Sequence, residues 1–232
     1  MTDNTAVLLL GGTPVVAAGL LDSIRRAGFV AAADAGAAMA VAAGRLPDLL
    51  VGDFDSLPEP MLEDCCRAGA EICRLPVHKD QTDGEYLLSR VAGLPYRRLL
   101  ILGGLGGRLD HMLANICITL PLAEAGREIC FAADDMLVVV LAAGDEPREL
   151  HLAGFGGRTF SLQSLSEECR LVQEAGFEYP LDAPLLQASS LGISNVVAGD
   201  AAAVRLTGGR LLACLELHPD EDMGLSPVCP AE

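Results

Sequence analysis

The sequence has no tryptophan and few other aromatic residues: Phe, Trp and Tyr together make up 4% of its 232 residues. Hydrophobic residues nevertheless account for 51% of the chain, and glycine occurs 25 times. The core must therefore be built from aliphatic side chains and from close approach of backbone segments. A chain of this length can form one large domain, or a main domain and a smaller one, each with its own core.

Positive charge is also scarce, since 16 Lys and Arg residues face 32 Asp and Glu residues, for a net charge of −16. A surface of this sign repels a phosphate backbone, which argues against nonspecific binding of nucleic acid. A nucleotide would need a metal ion or a local basic cluster to offset the repulsion. For most of these acidic side chains, solubility is a sufficient explanation.

Features of exported, membrane-spanning and zinc-binding proteins are missing as well. The first five residues lack the charged region and cleavage site of a signal peptide. No apolar run reaches the roughly 20 residues that span a bilayer. None of the eight cysteines forms a C-x-x-C pair. We therefore expect a cytoplasmic protein without membrane association, disulfide framework or structural zinc site.

Short apolar runs alternate with helical patterns over the first 140 or so residues. Five of these runs predict strands, at Ala6–Leu10, Phe29–Ala33, Asp48–Val51, Glu71–Leu75 and Arg98–Leu102. The helical patterns cover residues 16–27, 37–43, 60–68, 83–91 and 111–125, and two more apolar runs follow at 128–132 and 137–142. Repeated strand–helix units of this length predict a parallel sheet covered by helices on both faces.

After Gly144 the helical periodicity disappears. Short runs separated by Gly, Pro, Asp and Ser follow at residues 149–152, 159–162, 170–174, 203–206 and 211–217. This spacing predicts an antiparallel β-domain. We expect an α/β domain over residues 1–143 and a smaller β-domain over residues 144–232.

Acidic residues follow the predicted strands: Asp34, Asp53 with Asp55, Asp80 with Asp83, and Asp110. Ligands of open parallel sheets bind beyond the carboxyl ends of the strands. Carboxylates gathered at one edge repel one another unless a cation lies between them. Magnesium suits such a place, because it takes oxygen ligands from one or two carboxylates, from substrate phosphates and from water.

Each acidic position also has a purely structural explanation. A lone Asp after a strand, such as Asp34, is more often a helix cap or turn former. Thr82 or Asp83 could cap a helix. The pair Asp53 and Asp55 is harder to explain in this way, because their side chains share one face of an extended segment.

A glycine-rich turn, Gly103-Gly104-Leu105-Gly106-Gly107, lies between a predicted strand and a predicted helix. Backbone N–H groups of such a turn can cradle phosphate oxygens, and Arg108 would add a bidentate donor. The turn matches neither the P-loop nor the dinucleotide fingerprint, and a tight structural turn explains it nearly as well. Lys79 is a further candidate phosphate contact, although an exposed lysine without a role is about as plausible.

Taken together, these segments resemble the thiamine pyrophosphokinase family. The motifs occur in the family's order and cover nearly the whole chain: residues 33–37, 47–48 leading into 52–56, 79–83, 103–111 with Asn115, 176–181 and 192–195. The resemblance implies an N-terminal, mostly parallel α/β/α (Rossmann-like) domain that binds ATP and Mg²⁺. It also implies a smaller antiparallel β-sandwich domain that binds thiamine and takes part in dimerisation.

The activity implied by the resemblance is Mg²⁺-dependent transfer of the diphosphoryl group of ATP to the hydroxyl of thiamine, with release of AMP. It implies a homodimer with active sites between the subunits. The implied metal ligands are Asp53, Asp55 and Asp83, which with Asp110 form the expected catalytic set. The implied ATP-binding residues are Asp34, Lys79, Thr82, Arg108, Leu109 and Asn115. Either Asp83 or Asp110 would accept the alcohol proton, and Ser194 and Asn195 would approach thiamine.

Two other functions stay open at this point. The first is a diphosphokinase for another hydroxymethyl heterocycle, such as a pterin, because the sequence offers no tryptophan for stacking on thiamine. The second is a catalytically inactive nucleotide-binding protein of the same fold.

Overall fold

A computed structural model describes residues 4–173 and 176–217. The chain divides into two compact units. The first comprises Met1–Thr119 with Phe131–Asp134, and the second comprises Leu120–Cys130 with Asp135–Glu232. Our expectation of a functional boundary between residues 143 and 144 stays a prediction.

The first unit is built on five parallel strands in the order β5-β1-β2-β3-β4. These are β1 Thr5–Leu9, β2 Phe29–Ala33, β3 Leu49–Gly52, β4 Glu71–Arg74 and β5 Arg98–Leu102. The helices are α1 Ala18–Arg26, α2 Ala37–Ala42, α3 Glu59–Arg67, α4 Asp83–Ala92 and α5 Leu109–Glu124, the last of which continues into the second unit. Strands β1 and β3 are buried along their whole length, as expected for a parallel sheet with both faces covered.

Helix α1 begins two residues later than its sequence pattern predicts. The Asp134 carboxylate accepts hydrogen bonds from the backbone N–H groups of Val16 and Ala17, with Oδ1 at 2.9 Å from each nitrogen. These N–H groups lie at the helix start, where donors have no partner within the helix. The cap comes from a residue more than 100 positions away, so the local sequence could not reveal it.

The second unit is antiparallel. Its strands are β7 Met136–Ala143, β8 Arg148–Ala153, β9 Thr159–Ser164, β10 Glu168–Gln173, β11 Leu185–Leu186, β12 Asn195–Val196 and β13 Ala201–Glu216. Strand β13 pairs with β7, β8, β9 and β10. Strand β6, Glu128–Ala133, is divided between the two units. Glu174, the last residue of one predicted run, lies outside the described residues.

Strand β13 joins two runs that the sequence pattern separates. Its first part, up to Leu206, pairs with β8, whereas its second part, from Gly209 on, pairs with β7. Gly209 lies at this change of partners with a φ of 94°, and a Cβ there would stand 2.5 Å from the Glu168 carbonyl oxygen. A glycine inside a strand often marks such a close approach of backbone. Gly209 allows β13 to continue while its pairing partner changes from β8 to β7.

The predicted fold class is confirmed: the protein combines an α/β unit on a parallel sheet with a second unit of antiparallel strands. The core is mainly aliphatic, and Leu8, Leu50 and Leu87 are fully buried in it, as are Phe131 and Phe160. Within the described residues, no helix has both the length and the apolar character that crossing a membrane requires.

Candidate active site

A cleft of about 590 Å³ lies at the carboxyl ends of the strands in the first unit. It is bounded by the loops that follow β1, β2 and β5, by the start of α4 and by one side of α5. Its lining includes Gly11, Gly12, Thr13, Asp34, Ala35, Ser56, Thr82, Asp83, Gly84, Gly103, Gly104, Gly106, Gly107, Arg108, His111 and Asn115. The cleft therefore lies at the sheet edge where ligands of such folds bind.

Two glycine loops in the cleft meet through their backbones. The Gly12 N–H donates to the Gly103 carbonyl oxygen at 3.1 Å, and a Cβ at Gly12 would stand only 2.3 Å from that oxygen. Gly103 has a φ of 70°, and its own Cβ would meet the Leu10 carbonyl oxygen at 2.2 Å. No side chain fits at either position. The glycine-rich lining leaves room for a ligand to approach the backbone closely, as phosphate-binding loops require.

Asp34 directly follows β2 and lines the cleft. Its Oδ1 accepts a hydrogen bond from the Phe54 N–H at 3.2 Å, and its own φ is 43°. The pKa of Asp34 is raised to about 6, chiefly by burial and to a smaller extent by Asp83 and Asp53, while the Phe54 N–H and Lys79 oppose the rise. A carboxylate in this setting gains from any cation that enters the cleft.

Asp53 and Asp55 lie in the loop that follows β3. Asp53 is half-buried and its Oδ1 accepts the Asp55 N–H at 3.1 Å, whereas Asp55 is exposed. Phe54 between them has a φ of 65°, which is unusual for a bulky residue. Neither aspartate is among the residues that line the cleft, although Ser56 is. The strained backbone shows that surrounding contacts determine the shape of this loop.

The start of α4 brings Thr82, Asp83 and Lys79 together. Thr82 caps the helix, since its Oγ1 accepts the Glu85 N–H at 3.1 Å, and Asp83 is the first helical residue. Lys79 Nζ lies 2.8 Å from Asp83 Oδ1, which is the distance of an ion pair. That oxygen is shielded from solvent and has no hydrogen bond of good geometry. The ion pair with Asp83 raises the pKa of Lys79. Thr82 therefore both caps α4 and lines the cleft beside Asp83.

Arg108 and Asp110 form a two-point pair at the start of α5. Arg108 Nη2 lies 2.6 Å from Asp110 Oδ2, and Arg108 Nε lies 3.1 Å from Oδ1. This pair holds the pKa of Asp110 below its usual value. Arg108 lines the cleft, but Asp110 and the exposed Leu109 are not among the lining residues. To contact a phosphate through the same atoms, Arg108 has to exchange its present partner.

Asn115, which lies further along α5, supports the glycine loop. Its Nδ2 donates to the Gly104 carbonyl oxygen at 3.1 Å, and its side chain lines the cleft. This contact ties the loop to the helix that follows it.

A three-residue metal cage is not preassembled: nowhere in residues 4–173 and 176–217 do three His, Cys, Asp or Glu side chains gather around one point. Asp53, Asp55 and Asp83 thus remain only predicted ligands. Asp53 and Asp83 are nevertheless close enough to Asp34 to raise its pKa. The Asp83 oxygen that is shielded from solvent is paired with the Lys79 ammonium, so this position already accommodates a positive charge. This donor set fits Mg²⁺, which is normally held by one or two carboxylates together with phosphates and water.

Ser194 and Asn195 lie in the second unit. Ser194 is exposed, has a φ of 60°, and donates its N–H to Ser161 Oγ at 3.0 Å. Asn195 is buried, and its amide makes two hydrogen bonds with the Tyr179 backbone: Oδ1 accepts the N–H at 3.1 Å and Nδ2 donates to the carbonyl oxygen at 2.7 Å. Asn195 therefore fastens two segments together, with one amide hydrogen left for other partners. Their predicted contact with a substrate stays a prediction.

The structure adds the Gly11-Gly12-Thr13 loop, Ser56 and Gly84 to the residues that line the cleft. The first of these could have been found from the sequence. The loop follows β1, which lies between β2 and β5, and the loops after both neighbours were already candidates. The same reasoning about strand ends therefore applies to it.

Residues 14–131, about half of the chain, match the family model for the catalytic domain of thiamin pyrophosphokinase. The chain belongs to the thiamin pyrophosphokinase family. Its members are transferases, and the matched region contains all the cleft-lining residues from Ala33 to Asn115. It ends before Ser194 and Asn195.

Individual relatives agree with this membership. The chain is 28% identical over 163 residues to thiamine pyrophosphokinase of Bacillus subtilis strain 168, an alignment that covers 70% of this chain and 75% of the relative. It is 30% identical over 112 residues to thiamine pyrophosphokinase 1 of Oryza sativa subsp. japonica, covering 46% and 41%. The crystal structure of thiamine pyrophosphokinase from Bacillus subtilis has the same fold, with a TM-score of 0.79, 24% identity and coverage of 92% and 99%.

Proposed function

We propose that the protein transfers the diphosphoryl group of Mg·ATP to the hydroxyl of thiamine, giving thiamine diphosphate and AMP. The observation that carries this proposal is the cleft itself, where glycine loops lie beside the carboxylates of Asp34 and Asp83. Burial and two neighbouring aspartates raise the pKa of Asp34 to about 6, and the shielded Oδ1 of Asp83 lies 2.8 Å from the Lys79 ammonium. Mg²⁺ would offset the charge of the carboxylates, and the glycine loops would bind the phosphates of ATP. Membership of the thiamin pyrophosphokinase family supports the choice of reaction.

In the proposed reaction, the hydroxyl oxygen of thiamine forms a bond to the β-phosphorus of ATP. The bond between that phosphorus and the oxygen bridging to the α-phosphorus breaks, and AMP leaves with the bridging oxygen. The hydroxyl proton passes to a carboxylate, for which Asp83 and Asp110 are the candidates.

Asp53, Asp55 and Asp83 would hold Mg²⁺ against the phosphates. Bound Mg²⁺ would neutralise phosphate charge, and such neutralisation with positioning supplies most of the catalysis in this class of reaction. Asp34, Lys79, Thr82, Leu109 and Asn115 complete the proposed ATP site. To contact the phosphates, Arg108 would release Asp110. One charge-assisted hydrogen bond, to the carboxylate, would then be replaced by another, to a phosphate oxygen.

We also propose a cytoplasmic homodimer in which Ser194 and Asn195 meet thiamine bound at the partner's cleft. None of the seven cysteines in the described part of the chain forms a disulfide, which is consistent with a reducing compartment. Light scattering should give twice the chain mass of 24.2 kDa. A stable particle of the single-chain mass that turns over thiamine would contradict the shared site.

The deciding experiment measures AMP release from ATP by the purified protein in the presence of Mg²⁺ and thiamine. We expect AMP in proportion to thiamine diphosphate, none without thiamine, and strongly reduced turnover for Asp55→Asn at saturating Mg²⁺. AMP release only with a hydroxymethyl pterin would replace the acceptor in this proposal. Nucleotide binding without AMP release for any alcohol tested would overturn the reaction.

A further inference from the structure

Arg74 is the last residue of β4 and lies directly beside the loop that contains Asp53 and Asp55. In the parallel pairing of β3 with β4, Gly52 is the register partner of Arg74. The chain leaves β3 at Gly52, so the next residues pass the carboxyl end of β4. Arg74 belongs to none of the segments that suggested a site in the sequence.

The Arg74 side chain contacts two consecutive residues of this loop. Its Nη1 donates to the Asp53 carbonyl oxygen at 2.8 Å. Its guanidinium carbon lies 4.8 Å from the centroid of the Phe54 ring, within the range of a cation–π contact. One planar side chain therefore holds both the backbone of Asp53 and the ring that follows it.

The loop needs such support because its backbone is strained. Phe54 has a φ of 65°, which costs a bulky residue roughly 1–3 kcal/mol and persists only where its surroundings enforce it. On the side of β2, the Asp34 carboxylate accepts the Phe54 N–H. On the side of β4, Arg74 binds Asp53 and Phe54. The bent segment is thus held from both neighbouring strands.

This conformation determines where the Asp53 carboxylate points. The Asp55 N–H donates to Asp53 Oδ1, a contact that depends on the turn at Phe54. If the turn relaxes, Asp53 loses this hydrogen bond and both carboxylates change direction. Residues that orient ligands in this way commonly affect metal affinity by about 10- to 100-fold.

We propose that Arg74 is a positioning residue that holds the 53–55 loop in the conformation in which Asp53 serves a nucleotide-bound divalent cation. The inference rests on the proposed function for the identity of the cation and nucleotide. Arg74 itself acts through the loop, with its Nη1 on the Asp53 carbonyl oxygen and its plane on the Phe54 ring. It differs in this from Arg108, whose guanidinium lines the cleft.

The test compares ATP binding with and without Mg²⁺ by calorimetry, using the full chain and no acceptor. Arg74→Ala should weaken Mg²⁺-dependent ATP binding by about tenfold, as expected for loss of a ligand-orienting contact. Binding of ATP in the presence of a chelator should change by less than about twofold, because Arg74 contacts the loop and not a phosphate. Arg74→Lys should lie between Arg74→Ala and the parent, since lysine keeps the charge but loses the planar fork.

Arg67→Ala is the matched control, since Arg67 is an exposed arginine on α3 whose partners are Glu63 and Asp64. It removes the same charge and should leave both affinities unchanged. If Arg74→Ala weakens ATP binding equally with and without Mg²⁺, the residue contacts phosphate directly and the proposal is wrong. Unchanged Mg²⁺-dependent binding would also overturn it.

Phe54→Leu provides a second variant if Arg74→Ala does not fold. It removes the aromatic partner of Arg74 and should weaken Mg²⁺-dependent binding in the same direction; full parental affinity would overturn the proposal. A failure of the proposed function has a different result, namely no AMP from thiamine while the Mg²⁺ effects of these variants persist.

Discussion

Asp34 carries a negative charge that is unfavourable for the folded protein in the absence of a ligand. The pKa of its carboxyl is about 6 in the folded protein, against an ordinary value of 3.8. The folded state therefore binds this proton more tightly than the unfolded chain does. The associated stability is present in acid and is lost as the pH rises from 3.8 to about 6.

Replacing Asp34 by Asn should stabilise the ligand-free protein at pH 7.5. Asparagine keeps an acceptor for the Phe54 N–H but removes the charge that burial, Asp83 and Asp53 disfavour. We expect a gain of about 1 kcal/mol in the free energy of unfolding, well below the full shift because the carboxyl is only half-buried. The measurement is denaturant unfolding at pH 7.5 and pH 4.5, and the gain should shrink at the lower pH.

Asp145→Asn, a change at an exposed carboxyl, controls for the altered net charge and should show no such pH-dependent gain. The Asp34→Asn variant should also bind Mg·ATP more weakly than the parent, because stability gained in a functional site is commonly paired with lost function. A variant that is less stable than the parent at pH 7.5 would contradict the assignment of the raised pKa.

Gly52→Ala should disrupt the same carboxylate by steric contact. A Cβ at Gly52 would stand 1.7 Å from Asp34 Oδ1, so the aspartate has to move and its bond to Phe54 has to break. We expect a loss of roughly 1–3 kcal/mol in unfolding free energy, as for other overpacked sites. Gly93→Ala, at a position with an ordinary φ of −79° and no atom closer than 4.0 Å, should be nearly neutral.

The double variant Gly52→Ala with Asp34→Ala tests whether this clash is the cause. Removal of the carboxylate leaves the new methyl group without its closest neighbour. The two changes should therefore be strongly non-additive, with the double variant more stable than Gly52→Ala alone. Simple additivity of the two unfolding free energies would show that backbone strain at residue 52 dominates instead.

Among the helices, α4 most directly couples stability to the cleft. Thr82 caps it and Asp83 follows in its first turn, so loss of the cap should unravel the residues that hold Asp83 in place. Thr82→Ala should cost about 1 kcal/mol of unfolding free energy, whereas Thr82→Ser should preserve it because serine is an equally good cap. The same pair should show weaker Mg·ATP binding for Ala and parental binding for Ser. Parental binding by Thr82→Ala would show that the cap does not position Asp83.

Periodicity predicts the strands of the first unit closely, because fully buried parallel strands are continuous apolar runs between glycines and loops. Predicted and observed bounds coincide for β2 and β5. Periodicity fails where a contact with a residue distant in the sequence determines the bounds of an element. Asp134 binds the N–H groups at the start of helix α1, and β13 continues through Gly208 and Gly209 while its pairing partners change there. Neither cause is visible within a few residues of the element.

The candidate site could be predicted to the level of loops but not of contacts. Strand ends indicated Asp34, Asp83 and Arg108, and the family resemblance added Thr82 and Asn115. The structure brings these five residues together in one cleft, whereas Asp53, Asp55 and Asp110 are not among its lining residues. The pairing of Arg108 with Asp110 and the contact of Arg74 with the 53–55 loop depend on side-chain directions at loop ends. A one-dimensional pattern carries no information on those directions.

The molecule as a whole has a net charge of −16, which repels a nucleotide electrostatically. Free ATP would carry several negative charges into a cleft that contains Asp34 and Asp83 and lies near Asp53. Mg²⁺ alone lacks the phosphate ligands that complete its coordination there. We therefore expect each to bind weakly by itself and the two together to bind cooperatively.

Thermal unfolding with Mg²⁺, ATP, or both should reveal this coupling. Ligand at about 100 times its dissociation constant stabilises the folded state by about 2.7 kcal/mol, which for a chain of this size raises the unfolding midpoint by roughly 5–10 °C. We expect that increase only when both are present, since either one alone leaves unbalanced charge in the cleft. Asp53→Asn should abolish the synergy without lowering the midpoint of the free protein, because Asn can still accept the Asp55 N–H. An equal rise with ATP and chelator would mean that the carboxylates take no part in binding a metal.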